Sequence, residues 1–339
     1  MAASGHKNRL LESKDLEFQA MMRILPLVLI PVLLLSLPVL AGPAQSTGEP
    51  DTDWSFTTKR SVKAIVVGGS IAAFTGMGFG QQLQSACRNL EVANIAKARL
   101  SAAGVRKRFE AQVLKNPNID RHGSGERWVL LQGGLNSVGN PTKTNADLMG
   151  LIRLAHQADF KVFGLTLSPW GRESDTKRWA GINGLKRQDN TRKAVDFVMG
   201  RLSPAKALGR HIDGRKSWRP GDLPDRAVDL YDSALRDHDA KLRPSEPLQS
   251  AMTQDPEIEK RIMSMPQDQQ AAERQRLLQQ AREIPRWYLR PDLHSFDSIH
   301  PNREGHRIIA YEVCKKAPES WGCDCNALSA SNTPRSGSK

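Results

Sequence analysis

Five short, mostly apolar runs separated by stretches of helical period constrain this chain more than any other feature. They are residues 62–67 (VKAIVV), 90–95 (LEVANI), 128–132 (WVLLQ), 161–167 (KVFGLTL) and 227–231 (AVDLY). A continuous apolar run of this length suits a strand covered on both faces. Between the runs, residues 76–89, 97–115, 144–158 and 190–202 carry a helical pattern, the last with Asp189 or Asn190 as its cap. Strands that alternate with helices predict an α/β chain built on a parallel sheet. Two stretches break the rhythm. Residues 203–225 are rich in Pro, Gly and Arg and read as a long loop. Residues 232–296 form an insertion with helical pattern over 254–283, divided by Pro256, Pro266 and Pro285.

The ends read as something other than fold. Residues 24–41 are uncharged and apolar, follow Arg23, and give way to Ala41, Gly42, Pro43 and Ala44. A basic flank, an apolar core and a small-residue exit predict a signal peptide over 1–44, with Met21 or Met22 as an alternative start. The expected destination is the periplasm or the exterior; an uncleaved membrane anchor is the alternative reading. Residues 45–60 read as a linker, 61–328 as the folded domain and 329–339 as a disordered tail. Export makes disulfides permissible, and Cys314 is expected to pair with Cys323 or Cys325. Cys87 reads as a small buried apolar residue on a helix face.

Three segments carry chemistry. Gly68-Gly69-Ser70 follows the first strand, so Ser70 stands at the carboxyl edge of the sheet, where ligands bind in open parallel sheets. Gly133-Gly134-Leu135-Asn136-Ser137 follows the third strand on the same edge, and the Asn136 amide can donate to a developing oxyanion. Asp297-Ser298-Ile299-His300-Pro301 places a carboxylate three residues before an imidazole. There it can fix the ring tautomer and leave the far nitrogen as a base. The six-residue spacing of His294, His300 and His306 allows a rival metal reading, but it does not put them on one helix face. No metal is expected.

In this order and context the segments resemble the SGNH (GDSL-type) hydrolases, over about residues 61–170 and 226–314. The resemblance implies a three-layer α/β/α fold with a five-stranded parallel sheet in flavodoxin-like order, and the helical insertion falls before the Asp-x-x-His loop. It implies that Ser70 is the nucleophile, His300 the base and Asp297 the residue that orients it. The oxyanion would be held by the N–H groups of Ser70 and Ala96 and by the Asn136 side chain. Gly69 and Gly134 belong to the supporting motifs. Gly69 and Ser137 depart from the family, which has or often has Asp there.

The expected function is an exported serine ester hydrolase that acts on acyl esters, acetyl among them, of glycans or lipids and needs no cofactor. A non-catalytic carbohydrate- or envelope-binding module on the same scaffold is the alternative. Lys plus Arg outnumber Asp plus Glu by 49 to 36, a formal charge of +13, which favours an anionic polymer or membrane surface as partner. No specific nucleic acid is expected. Trp218 and the arginines of 203–225 are candidates to stack on a sugar or clamp an acidic group. The insertion is expected to pack beside Ser70 as a cap.

Overall fold

The computed structural model describes residues 54–119 and 125–329. The signal-peptide reading, the first part of the linker and almost all of the expected tail lie outside the described residues. Five parallel strands form one sheet: β1 (Val62–Gly68), β2 (Leu90–Asn94), β3 (Glu126–Gln132), β4 (Lys161–Leu165) and β5 (Arg226–Val228). Their order is β2-β1-β3-β4-β5. β1 therefore leads to β2 on one side while β3 lies on its other side, and the chain reverses direction across the sheet between β1 and β3. Gly68 pairs in register with Gln132, so the loops that leave β1 and β3 start side by side. That is the switch point at which a parallel sheet opens a crevice for ligands.

Alternation along β1 builds the two outer layers. Ala64 and Val66 face one core with α1 (Phe79–Ala86) and a late helix, α9 (Arg303–Cys314), whereas Ile65 and Val67 face the other. That second core takes α2 (Ala102–Phe109), α3 (Pro141–Gln157) and the end of α4 (Asn183–Val198). The fold is thus the three-layer α/β/α sandwich. The described residues form one compact unit, and no helix among them is long and apolar enough to cross a membrane.

Several boundaries differ from the sequence reading. β5 is three residues long and stops at Val228, because the Thr166 hydroxyl accepts the N–H groups of Leu230 (2.8 Å) and Tyr231 (3.3 Å) and ends the ladder there. α4 begins seven residues before Asn190. Leu185 and Gln188 are buried, so packing extends the helix over a stretch whose polar composition hides it. Asn190 is no cap; its amide donates to the Gly139 carbonyl at 3.3 Å. The described end of the expected linker, 54–60, lies on the domain. Trp54 and Phe56 pack on the second core, and the Glu91 carboxylate accepts the N–H groups of Thr57 (2.6 Å) and Thr58 (3.1 Å).

The 203–225 stretch contains a short helix, α5 (Pro204–Leu208), and it is anchored rather than free. Trp218 donates its indole N–H to the Leu202 carbonyl at 2.8 Å and packs on Phe197. Asp222 is buried between Arg215 and Arg153. Trp218 therefore anchors this stretch to the core, with its ring partly exposed.

The insertion folds as α6 (Ser245–Gln254), α7 (Pro256–Met263) and α8 (Gln267–Glu283). Pro256 opens α7, Pro266 precedes α8, and Pro285 lies in the 3-10 turn Ile284–Trp287 that directly follows α8. Arg243 ties this unit to the loop after β4. Its buried guanidinium donates to the carbonyls of Trp179 (2.6 Å) and Gly181 (2.8 Å), to the Tyr288 hydroxyl (2.8 Å) and to Glu173 (2.7 Å).

Two disulfides close the far end of the domain. Cys314 pairs with Cys325, one of its two expected partners. Cys87 is not a free buried thiol but is bonded to Cys323. The chain around Cys323 runs against the end of α1, with Arg88 and Asn89 donating to the carbonyls of Gly322 and Trp321. Sequence separation concealed that pairing.

Candidate active site

Ser70 leaves β1 in a turn closed by the Ala73 N–H on the Gly69 carbonyl (3.0 Å), and α1 starts only at Phe79. Gly68 has to be glycine. A Cβ there would stand 2.0 Å from the Gln132 carbonyl oxygen and 2.7 Å from the Ala72 methyl. Gly69 is different: a Cβ would meet nothing closer than 3.9 Å, so the departure from Asp is not forced by crowding.

The Asp297–His300 loop is clamped from several sides. The Gly171 N–H donates to Ser298 O (2.9 Å), Ser295 N–H to His300 O (2.9 Å) and Asn302 N–H to Leu293 O (2.7 Å). Asn302 then caps α9 by accepting from Gly305 N–H at 3.0 Å. Within the loop, Asp297 Oδ1 accepts from the N–H groups of Ile299 and His300, both at 2.8 Å. Its Oδ2 lies 2.9 Å from His300 Nδ1. Burial works to raise the Asp297 pKa, but these N–H groups and the imidazole outweigh it and hold the carboxyl below its usual value. A charged carboxylate on Nδ1 puts the ring proton there and leaves Nε2 as acceptor. Nε2 faces Ser70 Oγ at 2.8 Å, across 230 residues of sequence. Ser70, His300 and Asp297 therefore form a continuous hydrogen-bonded chain.

The Asn136 amide reaches the same spot from the β3 loop. It donates one N–H to the Leu100 carbonyl at 3.0 Å, which leaves its second N–H to give. Gly134 lets the loop turn, at φ 105°. Ser137 has a structural use: its hydroxyl accepts the Ala102 N–H at the start of α2 (3.1 Å) and donates to Gly134 O (3.2 Å). Ser70 N–H donates to no acceptor among the described residues. Ala96 departs from the expectation. Its N–H is already given to Asn94 Oδ1 at 3.0 Å, so it has none free for an oxyanion.

Arg99 precedes Leu100, which bounds the hollow at Ser70, and is not itself among the residues that line it. This residue holds the left-handed conformation (φ 66°) immediately before Leu100, and its N–H makes no hydrogen bond among the described residues. A signal exists only in the backbone, since no pattern announces an arginine at positive φ.

Of the three histidines spaced by six, only His300 enters the site. His294 Nε2 lies 3.0 Å from the Leu289 carbonyl. His306 is buried, stacked on Phe74, with Nδ1 accepting the Phe79 N–H at 3.3 Å. Burial first, and the neighbouring His300 second, lower its pKa to about 4, so it is neutral at ordinary pH.

Room is unequally divided around this centre. The hollow beside Ser70, bounded by Ile71, Leu100, Leu135 and Asn136, holds about 10 Å³. No residue of the insertion is among those that line it. Its last residue, Phe296, is 79% exposed and stacks on the His300 ring at 4.8 Å. The helices of the insertion instead wall a separate groove of about 630 Å³ against α4.

At the carboxyl edge of a parallel sheet, a serine hydroxyl, an imidazole and a carboxylate joined by hydrogen bonds can pass a proton from the serine to the ring. Neither a family model nor a curated protein matches the sequence. Likeness to solved structures is one of fold. A lipolytic protein of the G-D-S-L family from Veillonella parvula is 13% identical, with 75% of this chain and 97% of that one covered and a TM-score of 0.40. A putative acylhydrolase from Bacteroides fragilis is 13% identical, over 77% and 88%, at 0.41. An acetylxylan esterase from Geobacillus stearothermophilus, solved as a catalytic mutant, is 15% identical, over 78% and 95%, at 0.40.

Proposed function

We propose that the protein is an exported serine ester hydrolase for short acyl groups. The observation that carries this reading is the hydrogen-bonded chain from Ser70 Oγ through the His300 ring to Asp297, at 2.8 and 2.9 Å. In the reaction, His300 Nε2 takes the Ser70 proton as Oγ attacks the ester carbonyl. Asp297 steadies the imidazolium that forms. The tetrahedral oxyanion is held by the Ser70 N–H and the free N–H of Asn136. His300 then returns the proton to the leaving alcohol, and water repeats the sequence to free the acid. None of these steps calls on a metal or cofactor.

The short-acyl preference rests on the hollow at Ser70, which has room for little more than a methyl group. Export rests on the apolar run 24–41 and on two disulfides, which persist in oxidising compartments. The non-catalytic reading was motivated by Gly69 and Ser137. Ser137 has a structural use, and with Gly69 and Ser137 in place the hydrogen bonds of Ser70, His300 and Asp297 are complete.

The test is hydrolysis of p-nitrophenyl acetate against the butyrate and octanoate esters, together with labelling by a fluorophosphonate. Acetate turnover that falls with chain length, and a label on Ser70, are expected. Activity retained in Ser70→Ala overturns the mechanism.

A further inference from the structure

The groove between α4 and the insertion helices is far roomier than the hollow at Ser70, at about 630 against 10 Å³. Its walls are α4 on one side and α7 and α8 on the other. It starts at the catalytic edge: Gly139, on its rim, is three residues beyond Asn136, a reach of at most about 10 Å. Arg187 extends from α4 to this point. Its Nη1 lies 3.8 Å from where a Cβ would stand on Gly139.

The charges in the groove are unevenly matched. Lys186 pairs with Glu257, Arg178 with Asp175, and Arg261 and Arg276 with Glu273. The side chains of Lys177 and half-buried Arg187 make no hydrogen bond or ion pair among the described residues, although the Arg187 carbonyl accepts from the Thr191 hydroxyl. Arg192 lies 4.4 Å over the Trp287 ring, and its Nε is buried without a partner. A folded protein that leaves three guanidinium or ammonium groups without an anion along one groove is complementary to an anionic ligand.

We infer that this groove binds the anionic part of the ester substrate, and that the substrate is an acylated polysaccharide bearing carboxylates. The inference rests on the reading of Ser70 as an esterase nucleophile and adds the class of alcohol it deacylates. Four observations favour a carboxylated glycan. The groove is open and charged residues share its walls with apolar ones, whereas a fatty chain needs an apolar tunnel. The amides of Asn183 and Asn190 each donate to a backbone carbonyl (3.3 Å in both cases), which leaves their oxygens to accept from sugar hydroxyls. Asp189, Asp255 and Glu257 share the walls, and they would repel a dense polyphosphate more than a polymer with one carboxylate per sugar. The exposed Phe296 ring on His300 offers a sugar a flat face beside the reacting ester.

The experiment uses the whole protein and the double variant Lys177→Gln/Arg187→Gln. Neither residue touches the reacting atoms. Three substrates are compared: p-nitrophenyl acetate, acetylated polygalacturonate and acetylated mannan. The wild type is expected to deacetylate the anionic polymer more efficiently than the neutral one, with the advantage shrinking as salt rises. The double variant should raise KM for the anionic polymer by about tenfold and leave p-nitrophenyl acetate unchanged. Binding of oligogalacturonate to Ser70→Ala protein, measured by calorimetry, is expected and should weaken in the triple variant. Equal rates on both polymers, or an unchanged KM in the double variant, overturn the groove assignment. So does capture of the protein by phosphatidylglycerol vesicles through these two cations without oligogalacturonate binding. If p-nitrophenyl acetate is hydrolysed and the hydrolysis needs Ser70, the esterase reading survives any of these failures.

Discussion

The hollow at Ser70 and the groove beside α4 are neighbours in the chain and opposites in construction. The hollow is shaped by backbone. Gly68 lies against the Gln132 carbonyl, Gly134 turns the β3 loop at positive φ, and Ile299 and His300 donate their main-chain N–H groups to Asp297. The groove is shaped by long side chains on three helices and a loop, several of them cations in water. The difference is physical. Proton transfer and oxyanion stabilisation need atoms placed within a fraction of an ångström, which main chain and clamped loops supply. Recognition of an extended polar chain tolerates adjustable lysines and arginines.

The sharpest break in that comparison is Ser70→Ala. It should lower turnover of both p-nitrophenyl acetate and polymer by about 10⁴-fold or more, while the melting temperature stays close to wild type. A loss limited to polymer would mean that the serine belongs to recognition instead of chemistry. Asn136→Ala comes next, with an expected fall in kcat of about 10²- to 10³-fold and little change in KM. A raised KM at constant kcat would move Asn136 from the hollow's role to the groove's.

The third prediction concerns charge behind the hollow. His306 is buried against Phe74 and Phe79 with a pKa lowered from 6.5 to about 4. The unfolded chain binds this proton at a higher pH than the folded one does. Stability is therefore full above pH 6.5, declines as pH falls, and has lost about 3 kcal/mol by pH 4. Urea unfolding at pH 7.5 and pH 4.5 should show a smaller difference for His306→Gln than for the wild type. The smallest effect is expected for Gly69→Asp. A Cβ at Gly69 has no neighbour within 3.9 Å, so stability should change by no more than about 0.5–1 kcal/mol, read from the urea midpoint. A large destabilisation would show that the hollow is tighter than its geometry implies.

Much of this molecule was legible in one dimension. An apolar run of six residues between helical periods has few stable fates, and burial on both faces of a parallel sheet is the commonest; all five strands follow from it, with β4 and β5 read too long. The Asp297–His300 contact is equally local, because a three-residue spacing places carboxylate and imidazole within reach whatever the rest of the chain does. Prolines at 256, 266 and 285 divided the insertion for the same reason: a missing N–H acts where it stands.

What only the tertiary structure decided are the meetings between distant residues and the competition for donors. Cys87 finds Cys323 across 236 residues, because the C-terminal segment returns to the end of α1. The Ala96 N–H is claimed by Asn94 before any ligand can use it, whereas Arg99 keeps its own free in a left-handed turn. α4 runs back to Asn183 because Leu185 and Gln188 are covered by neighbours that the sequence sets far away. A groove made by α4 and the insertion exists only once both are packed, so its unpaired cations could not be told from the ordinary solvated charges of a basic chain. Short-range spacing and burial preference act through the covalent chain and can be read along it. Which donor meets which acceptor, and which charge is left over, depends on packing across the whole domain.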